Sequence, residues 1–196
     1  MTELPLAALD PDRVAAALGL SLTEELRDRL LATPRLAPRV ARLVAARRLL
    51  GSWETAPFKP AEKRLMRLDY QAFRRLGLAS GAVWHADALR ATIMARPRTI
   101  LLEGLGEEIY ALAIAHPDLA VDLDENQSAE TLLEAIAEDG LACLAAWCDT
   151  LDPAAGAWFR MKLPADMTAP RPLHRAHGPA LVDCVAVLLS PAEAVA

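Results

Sequence analysis

Two of the four histidines could bind a metal ion, because His174 and His177 are three residues apart and one helical turn would align their imidazoles. Prolines flank this pair, which argues against a helix, and no acidic residue follows at ligand spacing. His85 and Asp87 could suggest an acid–base pair, but residues two apart do not face each other on a helix. We therefore expect no metal site, an ordinary surface position for His85 and a capping role for Asp87. Elemental analysis would test the remaining alternative, a small metal-dependent enzyme using the two histidines.

Two further motifs could suggest cofactor or thiol chemistry. Gly104-Leu105-Gly106 resembles the start of a dinucleotide fingerprint, but the third glycine is missing. Glu107 and Glu108 follow at the point where a phosphate would need a positive helix start. Cys143 and Cys148 are five residues apart and no base is evident nearby in the sequence. We expect no catalytic residue, no cofactor and no small-molecule substrate, so the chain is not predicted to be an enzyme.

The charges are unevenly distributed along the chain. Between Arg27 and Arg98 there are 16 Lys or Arg residues against 5 Asp or Glu, whereas Thr99 to Asp152 has 13 Asp or Glu and no Lys or Arg. Two surfaces of opposite sign would suit two different partners, because complementary charge steers association. The alternative is that the two halves intermix and their charges pair across the fold.

The basic half also suggests a second function, a helical DNA-binding regulator. Eight of its side chains could form a face that contacts phosphates: Arg42, Arg47, Arg48, Lys63, Arg64, Arg67, Arg74 and Arg75. The net charge of −5 and the lack of helix-turn-helix spacing argue against a nucleic-acid partner. Retention on duplex DNA at moderate salt would test this alternative.

The composition favours helices. Alanine and leucine carry most of the apolar fraction, and aromatic residues are only 5 % of the chain. Only Thr99–Leu102 and Val185–Leu189 have strand character. We predict an all-α fold with little or no sheet, in a single compact domain of about eight helices. This domain covers residues 1–196, with N-terminal helices over 1–59, a central region over 60–164, and a loop with a last helix over 165–196.

The most informative stretch runs from Ser128 to Leu163. Its apolar residues recur three and four apart as far as Leu151, which predicts one long helix that several other helices surround. Asp152-Pro153 should end this helix and begin a short amphipathic one. Asp10-Pro11 should begin another helix that ends at Gly19.

Glycine and proline set the other predicted boundaries. The helix that starts at Pro60 should continue without a break to about Gly77, with Ser80-Gly81 as the following turn. Three prolines between Met167 and Pro179 predict an extended loop. No apolar run approaches the ~20 residues that cross a bilayer. The N-terminal residues lack the pattern of a secretory signal, and an odd number of cysteines, three, suits a reducing compartment. A cytoplasmic location is therefore expected.

Two stretches together resemble a known family. The first begins with a helix end, here Arg75-Leu76-Gly77-Leu78, followed by a small-residue turn at Gly81. It continues with a helix that contains an arginine, here Arg90, and with an apolar helix that has a late Leu-Gly, here Leu105-Gly106. In the second, an apolar helix and a proline break precede a basic-apolar run, here Arg160, Lys162, Leu163 and Pro164. From Arg74 to Pro164 the chain is similar to the YscK/SctK family of bacterial type III secretion systems.

This resemblance implies a function without catalysis. Members of the family are helical cytoplasmic adaptors of the sorting platform, peripheral to the inner membrane through the secretion apparatus. They bridge the cytoplasmic domain of the inner-membrane ring protein and the pod protein that organises the export ATPase. The resemblance implies no cofactor, no nucleic acid, no insertion into the membrane and no small-molecule substrate.

An adaptor needs two contact surfaces, and the uneven charge suggests where they are. We predict one basic face and one acidic face, formed respectively by Arg74, Arg75 and Arg90 and by Glu107, Glu108 and Asp122. Alternatively, these residues are only solvated and apolar side chains make the true contacts.

Overall fold

The structure, a computed structural model, describes residues 8–19, 29, 33, 35–48, 50, 55–121 and 127–189. All regular elements in these residues are helical, so the prediction of an all-α fold is confirmed. The described part contains ten α-helices, against about eight expected: α1 Pro11–Leu18, α2 Ala37–Arg47, α3 Pro60–Arg67, α4 Tyr70–Trp84, α5 Ala86–Ala91, α6 Ala95–Leu105, α7 Glu107–Ala115, α8 Ala129–Thr150, α9 Pro153–Arg160 and α10 Pro172–Leu189. Both stretches with strand character lie in helices, α6 and α10.

The chain divides into two compact units, each assembled from two separated stretches of sequence. The first unit comprises Met1–Phe73 with Cys148–Met167, and the second comprises Arg74–Trp147 with Thr168–Ala196. The single domain over residues 1–196 stays a prediction, which the cooperativity of unfolding would test.

In the first unit, two helices begin with an aspartate followed by proline, as predicted. The side chain of Asp10 accepts a hydrogen bond from the backbone N–H of Arg13 at 2.8 Å, and α1 ends at Gly19 with a φ of 69°. Asp152 accepts one from the N–H of Ala154 at 2.9 Å and starts α9. These caps satisfy backbone donors that the first turn of a helix leaves free.

In the second unit, the long helix α8 is surrounded by other helices, as the width of its apolar stripe predicts. A Cβ added to Gly104 on α6 would lie 2.6 Å from Cδ1 of Leu133, and one added to Gly178 on α10 would lie 3.0 Å from Cα of Cys143. Helix α4 approaches α8 more closely still, and this contact changes where α4 ends.

The sequence predicted that this helix ends at about Gly77, but α4 continues to Trp84. Gly77 and Gly81 are one turn apart, and both face Gly140 of α8. A Cβ on Gly81 would overlap the carbonyl oxygen of Ile136, and a Cβ on Gly140 would overlap that of Gly77. The two backbones are therefore in direct contact, which offsets the ~1 kcal/mol that each glycine costs in a helix interior. The predicted turn at Ser80-Gly81 is wrong for this reason.

The helix predicted to run unbroken from Pro60 is instead two helices, α3 and α4. Between them, the side chain of Asp69 accepts a hydrogen bond from the N–H of Ala72 at 2.7 Å and caps the start of α4. The apolar periodicity of the sequence continues across this break, so the pattern predicted one helix and gave no sign of the cap at Asp69.

The loop predicted over 167–179 is wrong from Pro172 onward, because α10 begins there and has Pro179 in its interior. Proline fits the first turn of a helix, where its missing N–H would have no partner. The buried residues His174, Gly178 and Leu181 recur along one face of α10, so packing sustains the helix despite Pro179.

Candidate partner-binding surface

Five of the six predicted partner-binding residues lie in described parts of the second unit: Arg74, Arg75, Arg90, Glu107 and Glu108. The two adjacent arginines are on α4, Arg90 is in the last turn of α5, and the glutamates are in the first turn of α7. The sixth residue, Asp122, lies outside the described residues.

Arg75 and Glu108 were predicted on opposite faces, but they form an ion pair. Nη2 of Arg75 donates to Oε2 of Glu108 at 2.5 Å, across 33 positions of sequence. The separation of a basic from an acidic face is therefore wrong at this pair, because the fold brings α4 and α7 together. Both side chains are more than half exposed, and such pairs contribute only about 0–1 kcal/mol. Their part in partner binding stays a prediction.

The other three residues differ in availability. Arg74 is half-buried and already has an interaction partner within the protein. Arg90 and Glu107 are exposed, and neither forms an ion pair with the described part of the chain. These two side chains are thus the better candidates for contact with another protein.

Beneath the surface, the second unit contains a buried carboxylate that three side chains contact. Nε2 of His85 donates to Oδ2 of Asp139 at 2.8 Å. Nε2 of His174 and Nη2 of Arg171 donate to its Oδ1 at 2.9 and 2.6 Å. The side chains of the two histidines are 1 % and 2 % exposed, and that of Asp139 is 10 % exposed. Asp139 thereby joins α8 to the junction of α4 and α5 and to the start of α10.

Hydrogen bonding fixes the protonation of this cluster. Nδ1 of His174 accepts the backbone N–H of Arg171 at 3.1 Å, so this ring is neutral and carries its proton on Nε2. Burial lowers the pKa of His174, against the opposing effect of Asp139. Burial acts to raise the pKa of Asp139, but the His85 hydrogen bond and the charges of its neighbours hold it below its ordinary value. Asp139 is therefore ionised at neutral pH.

This cluster corrects the interpretation of both histidine motifs. His85 is not an ordinary surface residue, since it is buried and bound to Asp139. His174 is buried, whereas His177, the other histidine of the spacing that was considered and rejected as a metal site, is exposed. Within the described ranges, no group of three or more His, Cys, Asp or Glu side chains is placed to bind a metal ion.

The first unit contains a buried cation, Lys162. The sequence identified this residue only as part of the YscK/SctK-like pattern and predicted no structural role for it. Its ammonium donates to the backbone carbonyls of Leu65, Met66 and Leu68 at 3.3, 2.9 and 2.6 Å. It also lies 5.0 Å from the centroid of the Phe73 ring. Lys162 therefore satisfies the carbonyls of Met66 and Leu68 at the end of α3 and shares that of Leu65 with the N–H of Leu68. A cation at this end also complements the helix dipole.

Arg13 binds the end of the same segment. Its Nε donates to the carbonyl of Leu163 at 2.6 Å, and its Nη2 donates to that of Pro164 at 2.9 Å. The backbone N–H of Asp10 donates to the carbonyl of Met161 at 2.8 Å. The basic-apolar run ending in Leu-Pro is thus held in the first unit by side-chain and backbone bonds.

We expect Lys162→Met to destabilise the protein, increasingly so at alkaline pH. Methionine has a similar length but leaves the carbonyls of Met66 and Leu68 without a donor, at about 1–3 kcal/mol for each buried group left unsatisfied. Burial lowers the pKa of Lys162 from 10.5 to about 7, with Asp69 acting in the opposite direction. Between these two pKa values the unfolded chain binds more protons, so the wild type gains stability as the pH rises from about 7 to 10. Urea unfolding at several pH values measures this gain.

The exposed Lys63 on α3 supplies the control for this prediction. Lys63→Met should leave both the stability and its pH dependence close to those of the wild type. If the curves of the wild type and Lys162→Met run parallel between pH 7 and 10, Lys162 does not change its pKa on folding.

Comparison with known proteins finds two relatives of the same description. The chain is 33 % identical over 144 residues to Nodulation protein NolU of Rhizobium fredii and, equally, to that of Sinorhizobium fredii. The alignment covers 72 % of this chain and 63 % of each relative, so the chain spans less than two thirds of the relatives' length. No family model matches the chain, and no solved structure matches it.

A membrane span is not found in the described helices, since none is both long enough and apolar enough to cross a bilayer.

Proposed function

We propose that this chain is a non-enzymatic adaptor in the cytoplasmic sorting platform of a bacterial type III secretion system. It bridges the cytoplasmic domain of the inner-membrane ring protein and the pod protein, and it is peripheral to the inner membrane through the apparatus. The observation that carries this proposal is the 33 % identity to a nodulation protein over 144 residues, which supports a role related to type III secretion. The resemblance to the YscK/SctK family supports the more specific adaptor role.

The contacts of the family-like residues add physical support. Gly77 and Gly81 set the contact between α4 and α8, and Lys162 ends α3. Residues with these roles preserve the packing of helices, so a pattern shared at these positions indicates shared packing. The buried cluster around Asp139 likewise joins helices, and this use of ionisable groups supports a scaffold better than a catalyst.

The proposal is tested by mixing the purified chain with the purified cytoplasmic ring domain and the purified pod protein of the same bacterium. We expect binary complexes with each protein and a ternary complex of all three by size-exclusion chromatography. Deletion of the gene should abolish secretion of a reporter effector, and the intact gene should restore it. Binding to neither protein, together with salt-sensitive retention on duplex DNA, would favour the DNA-binding alternative instead.

Charge reversal at the two available residues should separate the two partners. We expect Arg90→Glu to weaken binding of one protein about tenfold and Glu107→Lys to weaken binding of the other, because charge complementarity is lost at a different contact in each case. Isothermal titration calorimetry with each protein measures the two dissociation constants.

Exposed charges outside the predicted faces offer a matched control for this test. Arg175→Glu on α10 and Glu138→Lys on α8 should leave both dissociation constants close to those of the wild type. If Arg90→Glu and Glu107→Lys weaken both partners equally, or neither, the prediction of two contact surfaces fails.

A further inference from the structure

The turn between α5 and α6 presents two large apolar side chains to solvent. Ile93 is 87 % exposed and Met94 is 75 % exposed, the highest values among the large hydrophobic residues that the structure describes. Single exposed apolar residues are common on protein surfaces, but two adjacent ones at such exposure favour contact with another molecule.

The helices on either side hold this turn in place. Leu89 on α5 and Leu101 on α6 are fully buried. The hydroxyl of Thr92 donates to the carbonyl of Ala88 at 2.9 Å, which closes the end of α5. The backbone that carries Ile93 and Met94 is therefore fixed by its neighbours, so mainly the rotamer freedom of the two side chains is lost when a partner binds.

Three exposed arginines flank the apolar pair in the sequence: Arg90, Arg96 and Arg98. No aspartate or glutamate occurs between residues 88 and 102, and none of these arginines forms an ion pair with a described residue. Arg96 and Arg98 are in the first turn of α6, where the helix dipole favours an acidic residue, yet that turn has none. Arg96 and Arg98 thus oppose the dipole of α6, whereas Arg90 complements the end of α5. We call Arg90, Ile93, Met94, Arg96 and Arg98 the turn surface.

We propose that the turn surface binds an acidic, amphipathic segment of a partner protein. Carboxylates of the partner would pair with the arginines while its apolar side chains cover Ile93 and Met94. Arginine and methionine are both enriched where proteins meet, and a desolvated apolar centre with a charged rim is typical of such contacts. This inference rests on the proposed function, since the two proteins named there supply the probes.

The surroundings favour a protein over a membrane or DNA. Glu103, Glu107 and Glu108 are exposed on α6 and α7. Asp87 is also exposed, one turn before Arg90 on α5, so a flat anionic bilayer that meets Arg90 also meets this carboxylate. A protein segment can contact the arginines and the apolar pair alone. DNA would pair with the arginines but would leave Ile93 and Met94 without an apolar partner.

The test compares two variants of the turn surface by calorimetric titration with the purified ring domain and the purified pod protein. We expect Ile93→Ser with Met94→Ser, and separately Arg96→Glu with Arg98→Glu, to weaken binding of one of the two proteins about tenfold or more. Raising NaCl from about 50 to 300 mM should weaken wild-type binding and affect the Arg96→Glu/Arg98→Glu variant less. The control pair, Val187→Ser with Arg175→Glu, changes exposed residues of α10 and should bind as the wild type does.

A photo-crosslinking residue at position 93 then locates the segment that binds. Crosslinks to an acidic segment with apolar side chains support the inference, and crosslinks to a neutral or basic segment overturn it. Unchanged affinity of both variants for both proteins also overturns it while leaving the proposed function intact. If the wild type binds neither protein, the proposed function fails and this inference falls with it. If the variants lose only binding to phosphatidylglycerol vesicles or duplex DNA, the surface belongs to a different class of partner.

Discussion

Gly81→Ala should destabilise the protein by more than about 3 kcal/mol, although alanine is the better helix former. The added Cβ would overlap the carbonyl oxygen of Ile136 and would lie 2.9 Å from its carbonyl carbon and 3.0 Å from the backbone N of Gly140. Backbone atoms cannot rotate away as a side chain can, so α4 and α8 must separate. Their separation would weaken packing along the whole contact. Urea unfolding followed by circular dichroism measures the loss.

Gly104→Ala is the matched control for this prediction, since it is also a glycine to alanine change inside a helix of the same unit. Its Cβ would meet only the end of the Leu133 side chain, which can adopt another rotamer. The gain in helix propensity should then nearly balance the cost of moving the Leu133 side chain, and the free energy of unfolding should change by less than about 1 kcal/mol. Equal unfolding midpoints for the two variants would show that α4 and α8 are not in backbone contact.

The periodicity and the caps of this sequence were sufficient to predict its helical class and its longest helix. The apolar spacing from Ser128 to Leu151 corresponds to α8, which ends where Asp152-Pro153 predicts. Signals of this kind are local, because a cap or a hydrophobic stripe is formed by residues within a few turns of one another.

The boundaries that were wrong depend on residues far away in sequence. Gly77 and Gly81 have the local signature of a turn, but contact with Gly140 makes them helical. Pro179 would usually end a helix, yet packing of His174 and Gly178 keeps α10 continuous. Such contacts cannot be predicted from a window of sequence, because the competing energy comes from tertiary packing.

The same limit applies to the candidate site. His85 and Asp139 are 54 residues apart, and the pair of Arg75 with Glu108 spans 33 residues. One signal was available in advance: Asp139 lies in the middle of a helix predicted to be surrounded, three residues after Ile136 of its apolar stripe. A carboxylate at such a position needs partners, and the two histidines were the available candidates.

Asp139→Ala should destabilise the second unit by about 3–5 kcal/mol, the usual loss when one partner of a buried ionic cluster is removed. The change would leave the Nε2–H groups of His85 and His174 buried without their acceptor, and it would release the Arg171 side chain. The neighbouring Glu138 is exposed, so Glu138→Ala is the control and should change stability by less than about 0.5 kcal/mol. Thermal and urea unfolding of both variants give the comparison.

The pH dependence of unfolding tests the protonation of this cluster separately from its packing. Burial lowers the pKa of His174 below 6.5, so the unfolded chain takes up a proton first and the stability falls as the pH drops below about 6.5. The pKa of Asp139 is lowered below 3.8 in spite of its burial, chiefly through His85, so a second loss follows below pH 3.8. In Asp139→Ala the second loss should disappear while the first remains, since burial of His174 persists. A variant that retains the full acid dependence of the wild type would place the responsible carboxylate elsewhere in the chain.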